Sequence, residues 1–250
     1  MIYDVCVDSV EGVLAAEQGG APRVELCADL VEGGVTPSLG MMRVVRQQVK
    51  LAVNVLLRPR GGDFLYTELE YEVMRQDIQA AKEAGMDGVV IGLLLPDGRV
   101  DAERTRALVE LSRPLSVTFH RAIDLCRDAE EALDTLIELG VDRVLTSGLR
   151  PSAAEGAECI ARLVRRAEGR VPVMAGGGVS ADNLTGLLAE TGVSEVHFSA
   201  RVELGSAMQF RNPGCFMGKA YQPDEYSRRV TDAERVRQVI AAGGYNRGPA

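Results

Sequence analysis

Short apolar runs alternate along almost the whole chain with longer runs whose apolar positions recur every three or four residues. The short runs, at 2–6, 23–27, 52–57, 88–92, 115–119, 143–146, 171–175 and 195–199, predict strands. The longer runs, near 9–19, 38–49, 67–84, 101–112, 128–139, 152–168 and 180–191, predict amphipathic helices, and a last helix fits 232–242. Thr67-x-x-Glu70, Asp128-x-x-Glu131 and Ser152-x-x-Glu155 have the spacing of capping boxes at helix starts. Gly85, Gly140, Gly169, Gly192 and Gly243 stand where a left-handed residue closes a helix. In the third helix, Leu69, Val73, Met74, Ile78 and Ala81 are expected on one face.

Eight strand–helix units in 250 residues predict a (β/α)8 TIM barrel, α/β in class, as a single domain over 1–250. A doubly wound open sheet is the alternative. Gly20-x-x-x-Val24, Gly85-x-x-x-Val89, Gly140-x-x-x-Val144 and Gly192-x-x-x-Val196 share one form, and each leads into an even-numbered strand. A two-unit period suits a closed barrel, whose alternate strands build alternate core layers. The rhythm breaks at 201–231, a long loop between the last strand and the last helix, rich in Gly, Pro and polar residues. Loops of that length are functional or interfacial, so it is expected to be a lid or a subunit contact.

In such a barrel the site forms at the carboxyl ends of the strands, and side chains alternate between the two faces of each strand. Polar residues keep to one parity: Asp4 with Cys6, Glu25 with Cys27, Asn54 with Arg58, Thr118 with His120, and His197 with Ser199. Arg60 follows just beyond. The other parity is apolar, with Val5, Val24, Leu26, Val53, Val55, Val117, Phe119, Val196 and Phe198. That set is expected to pack on the helices, leaving the polar set to line the upper lumen. Buried charge is costly unless paired, so Asp4 and Glu25 are expected to balance Arg58 and Arg60. A functional site and a structural polar plug both meet this description.

The chemistry at the strand ends suggests a site for a small anionic or phosphorylated metabolite. His120 opens a loop with Arg121 and Asp124, where it would act as general acid or base with Glu25 or Asp4 as a second titratable group. Arg58 and Arg60 would clamp the anion. After the seventh strand, Gly176, Gly177 and Gly178 precede Ser180, a potential helix cap, and offer backbone N–H groups to an anion. Ser199 and Arg201, Thr146 and Ser147, and the neighbouring Asp124 and His197 would complete the cradle. A satisfied core histidine and a plain tight turn are the simpler readings of His120 and of the glycines.

Composition narrows the classes. With 46% hydrophobic and 26% charged residues the chain is globular, and a net charge of −8 without a long basic block argues against a nucleic-acid partner. No apolar run is long enough to span a bilayer, and the chain opens on a strand-like run without the pattern of a leader, so no membrane partner is expected. No Walker A pattern or dinucleotide fingerprint occurs, so no nucleotide cofactor is expected. The five scattered cysteines are expected as reduced thiols of a cytoplasmic protein. Cys6 and Cys27 end adjacent strands, about 5 Å apart in a sheet, where two thiolates would suit a soft ion such as Cu(I). Burial as two small hydrophobes is the alternative. Met208, Cys215 and Met217 in the long segment add further soft atoms.

The chain resembles the CutC family, named as copper homeostasis proteins. The resemblance is carried by Val5-Cys-Val-Asp-Ser9, Arg23-Val-Glu-Leu-Cys27, Glu32-Gly-Gly-Val-Thr-Pro-Ser38 and Arg58-Pro-Arg-Gly-Gly-Asp-Phe64. Val117-Thr-Phe-His-Arg-Ala122, Arg143-Val-Leu-Thr-Ser-Gly148, Met174-Ala-Gly-Gly-Gly178, Phe210-Arg-Asn212 and Glu225-Tyr-Ser227 extend it over nearly the whole chain. It implies a cytoplasmic TIM barrel, a homo-oligomer (dimer or tetramer), and copper homeostasis with Cu(I) at the family's thiol positions, Cys6 and Cys27. One departure is Asp4, where the family's Glu is expected before the first thiol. Three functions therefore compete: copper handling, an enzyme acting on a small anion, and a scaffold working through the long loop.

Overall fold

In the computed structural model, which describes residues 1–217 and 224–244, eight parallel strands pair in chain order and close on themselves. They are β1 (Ile2–Val7), β2 (Arg23–Leu26), β3 (Ala52–Leu56), β4 (Gly88–Ile91), β5 (Ser116–Phe119), β6 (Arg143–Thr146), β7 (Val173–Gly176) and β8 (Glu195–Phe198). Closure runs through Asp4↔His197 and Val5↔Phe198. Helices α1 (Val10–Gln18), α2 (Leu39–Gln48), α3 (Glu68–Glu83), α4 (Ala102–Ser112), α5 (Ala129–Glu138), α6 (Ala157–Ala167), α7 (Ala181–Thr191) and α8 (Ala233–Ala242) complete a (β/α)8 TIM barrel. The doubly wound alternative falls away. Among the described residues no helix is long and apolar enough to cross a membrane.

Local signals mostly act as expected. Thr67 and Asp128 cap α3 and α5. Ser152 and Glu155 hydrogen-bond each other in a turn instead, and α6 starts later, after Gly156. In the Gly-x-x-x-Val repeat, Gly20, Gly85, Gly140 and Gly192 all have positive φ, and the four valines are fully buried. The repeat thus marks a left-handed exit from a helix followed by entry into a strand, a turn requirement rather than an inner core layer.

The apolar strand parity is buried in one core with helix residues such as Val13, Met42, Met74 and Ile78. In α3, Met74, Ile78 and Ala81 are buried, but Leu69 and Val73 are exposed, contrary to expectation. At 3.6 residues per turn, Leu69 and Val73 lie about 80° or more around the helix from those three.

The segment at 201–231 is not wholly a loop. Its arms pair as an antiparallel ribbon of β9 (Arg201–Gly205) and β10 (Ser227–Thr231), which satisfies the backbone groups on their facing edges. Met208, Phe210, Phe216 and Met217 lie exposed between the arms, and 218–223 fall outside the described residues.

Candidate metal centre and mouth cavity

The lower lumen is filled by paired charge. Arg23 Nε donates to Asp4 Oδ1 at 2.7 Å and Arg23 Nη2 to Glu195 Oε2 at 2.6 Å. Arg143 Nε donates to the same Glu195 oxygen at 2.6 Å, and its Nη1 reaches Thr118 at 3.2 Å. Two guanidinium groups and two carboxylates cancel, so the layer is a structural plug. The expected balance of Asp4 and Glu25 by Arg58 and Arg60 is not made. Register explains this: Asp4 lies level with Arg23 on β2, whereas Arg58 and Arg60 stand beyond the end of β3. Arg60 pairs with Glu70 at 2.6 Å and Asp63 at 3.0 Å and does not line the mouth.

Above the plug, Cys6 Sγ, a Glu25 carboxylate oxygen and a His197 ring nitrogen lie within 4.8 Å of one another. Asp4 Oδ2 sits 2.8 Å from His197 Nδ1, so Nδ1 carries a proton for it and Nε2 remains for the cluster. Burial pushes the His197 pKa down, but Glu25, Asp4 and Cys6 outweigh it and hold the ring well above its ordinary value. Burial pushes Asp4 up, yet Arg23 and His197 hold it well below the usual carboxylate range. Glu25 is raised by burial; its Oε1 lies 3.8 Å from Cys6 Sγ, and its buried Oε2 has no partner among the described residues.

The two thiols meet as expected, with Cys6 and Cys27 Sγ 3.8 Å apart. The Cys27 contact, with burial, pushes the Cys6 thiol well above its ordinary pKa. Cys27 is fully buried, donates to Val7 O at 3.3 Å, packs with Leu56 and Val90, and stands outside the Cys6–Glu25–His197 group. Cys6 therefore belongs to two donor sets. At metal–sulfur bonds of about 2.3 Å, a 3.8 Å sulfur separation subtends about 110°. Such a bent pair leaves room for a third donor. Thiolates and imidazole fit a soft ion, whereas the Glu25 carboxylate is a harder ligand.

A cavity of about 520 Å³ opens over this cluster, lined by Cys6, Glu25, Arg58, His120, His197, Arg201 and others. His120 follows β5, and its Nδ1 accepts from Ala122 N at 3.1 Å. The proton is thereby placed on Nε2, which is buried and has no partner among the described residues. Burial, then the charge of Arg58, pushes His120 down to about 3. At neutral pH it is a neutral hydrogen-bond donor, not an imidazolium acid. The end of β4 makes room for it: a Cβ on Gly92 would lie 2.3 Å from His120 Cε1.

Other expected residues divide. Gly177, Gly178, Ser199 and Arg201 line the cavity. Gly176, Thr146 and Ser147 do not. A Cβ on Gly176 would sit 2.5 Å from Leu145 Cδ1, so close packing explains that glycine. Asp124 lines the cavity but is consumed as a brace, accepting from Thr146 at 2.5 Å, Ser147 Oγ at 2.8 Å and Arg121 Nε at 2.7 Å. Arg23, Arg143 and Glu195 were absent from the sequence-based set. Parity contained the signal, since Arg23 lies two residues before Glu25 and Glu195 two before His197.

Comparison with known proteins agrees with the barrel. The model of the CutC family matches residues 1–202. The mouse (Mus musculus) protein named copper homeostasis protein cutC homolog is 51% identical over 240 residues, 96% of this chain and 88% of that one. Its human (Homo sapiens) namesake is 50% identical over the same shares. The crystal structure of a CutC protein from Streptococcus agalactiae matches with a TM-score of 0.76 at 33% identity, over 80% of this chain and 98% of that one. With a family model over most of its length and relatives of about half identity, the chain belongs to the CutC family.

Proposed function

We propose that this chain takes part in copper homeostasis by binding Cu(I) at the barrel mouth, with Cys6 as the pivotal ligand. The observation that carries the reading is the position of Cys6, 3.8 Å from Cys27 Sγ and within 4.8 Å of donor atoms of Glu25 and His197. Two thiolates and the His197 Nε2 form a soft donor set suited to this ion, and the names of the relatives point the same way. Binding requires the Cys6 and Cys27 thiols and the His197 Nε2–H each to lose a proton, and the Glu25 carboxylate, 3.8 Å from Cys6 Sγ, is placed to receive the one from Cys6. Reduced thiols and a monovalent ion both fit a cytoplasmic setting.

Competitive titration of the reduced protein with Cu(I) against a chelator tests this. Cys6→Ser is expected to weaken binding at least ~100-fold, and Asp4→Asn, acting through His197, by ~10-fold or more. Unchanged affinity in the Cys6→Ala, Cys27→Ala double variant would refute the assignment.

A further inference from the structure

We infer that the mouth cavity also binds a small organic anion, a carboxylate or a phosphate ester, beside the thiol cluster: Arg58 and Arg201 supply the charge and His120 Nε2–H donates to a ligand oxygen. Copper binding does not require this site, and the inference does not rest on it.

Charge is the first argument. The chain matches its deep arginines closely elsewhere, since Arg23 and Arg143 meet carboxylates at 2.6–2.7 Å. At the mouth the pattern changes. Arg58 is only 8% exposed, and its guanidinium donates to three neutral carbonyls, of Glu32 at 2.7 Å, Gly34 at 2.8 Å and Gly62 at 2.9 Å. It makes no ion pair among the described residues. Arg201 has only Asp8, at 3.9 Å, and its buried Nε has no partner among them. A poorly compensated buried cation is costly, and an incoming oxyanion would do for these two what Asp4 and Glu195 do below.

The second argument is the orphaned donor. His120 is 5% exposed, lines the same cavity, and has its Nδ1 committed to the Ala122 N–H. Its Nε2–H is thus a fixed, buried donor whose cost is offset only when an acceptor arrives. Burial and the nearby Arg58 charge keep the ring neutral, so it presents one donor rather than a second cation. The third argument is size. About 520 Å³ lies within the roughly 300–1,000 Å³ of small-molecule sites and far exceeds what a bare ion occupies. Phe64, Leu125 and Phe198 give this space an apolar wall for a carbon skeleton.

The test uses the full chain, reduced and stripped of metal on a chelating resin. Glycerol 3-phosphate, succinate and inorganic phosphate are titrated separately at constant ionic strength, with sodium chloride as control. Calorimetry and the His120 side-chain NMR signal provide the readouts. We expect saturable binding of at least one probe, a shift of the His120 signal, and at least a tenfold loss of affinity in Arg201→Gln. Preference for glycerol 3-phosphate or inorganic phosphate assigns a phosphate ligand, and preference for succinate a carboxylate. Absence of saturable binding by all three below about 10 mM, or equal binding by Arg201→Gln, overturns the proposal.

Discussion

Replacing Glu195 by Gln tests whether the lower lumen is a charge-balanced plug. One Glu195 oxygen accepts from both Arg23 and Arg143 at 2.6 Å, and the side chain is 4% exposed. Glutamine keeps the shape and one acceptor but removes the charge, leaving two guanidinium groups against Asp4 alone. Losing one partner of a buried pair costs about 3–5 kcal/mol. For a chain of this length that is a fall in Tm of roughly 6–20 °C. Urea unfolding should show a lower midpoint at an unchanged slope. Adding Arg143→Met restores the balance, and about 1–3 kcal/mol should return as coupling between the sites. A loss below about 1 kcal/mol in the single variant, or a double variant no more stable than the single, would refute the reasoning.

Three other outcomes follow from the same geometry. His197 titrates above its unfolded value, so its contribution to the metal-free protein is full below about pH 6.5 and is lost as pH rises through the folded pKa. His197→Gln should flatten that alkaline decline in urea midpoints; an equal decline in the variant counts against the Asp4–His197 pairing. Because Cys6 must deprotonate, Cu(I) affinity should rise by up to about tenfold per pH unit for each proton released, and a pH-independent affinity in competitive titration speaks against thiolate ligation. Gly92→Ala places a methyl against His120 and should cost about 1–3 kcal/mol while moving the ring, seen as a lower Tm and a shifted imidazole signal.

The barrel was legible because its signals are local. Periods of two and of 3.6, helix caps and left-handed glycines each act over a few residues, and parity correctly sorted Val24 and Val53 from Glu25 and Asn54. Register is not local. Only the pairing of β1 with β2 reveals that Asp4 meets Arg23 rather than Arg58. Parity also assigned Cys27 to the lumen with Glu25. Cys27 lies just past the end of β2, where its thiol turns to Val7 O behind Cys6. The β9–β10 ribbon was obscured by composition, since its Gly- and Pro-rich middle masks the two short arms.

The plug gives the barrel the form of a cup, with charge filling its axis below the mouth cavity. The cavity that opens over Gly177, Gly178 and Ser199 reaches down to Cys6, Glu25 and His197, and the ion-paired layer of Arg23, Asp4, Glu195 and Arg143 lies beneath them. Passage along the axis from one face to the other would have to break those buried ion pairs. If Cys6 holds Cu(I) as proposed, unloading would favour exchange at the rim, where an acceptor's own donor atoms would engage the ion before Cys6 lets go. The rate of that exchange would then depend on acceptor concentration, and an anion bound beside His120 would slow it.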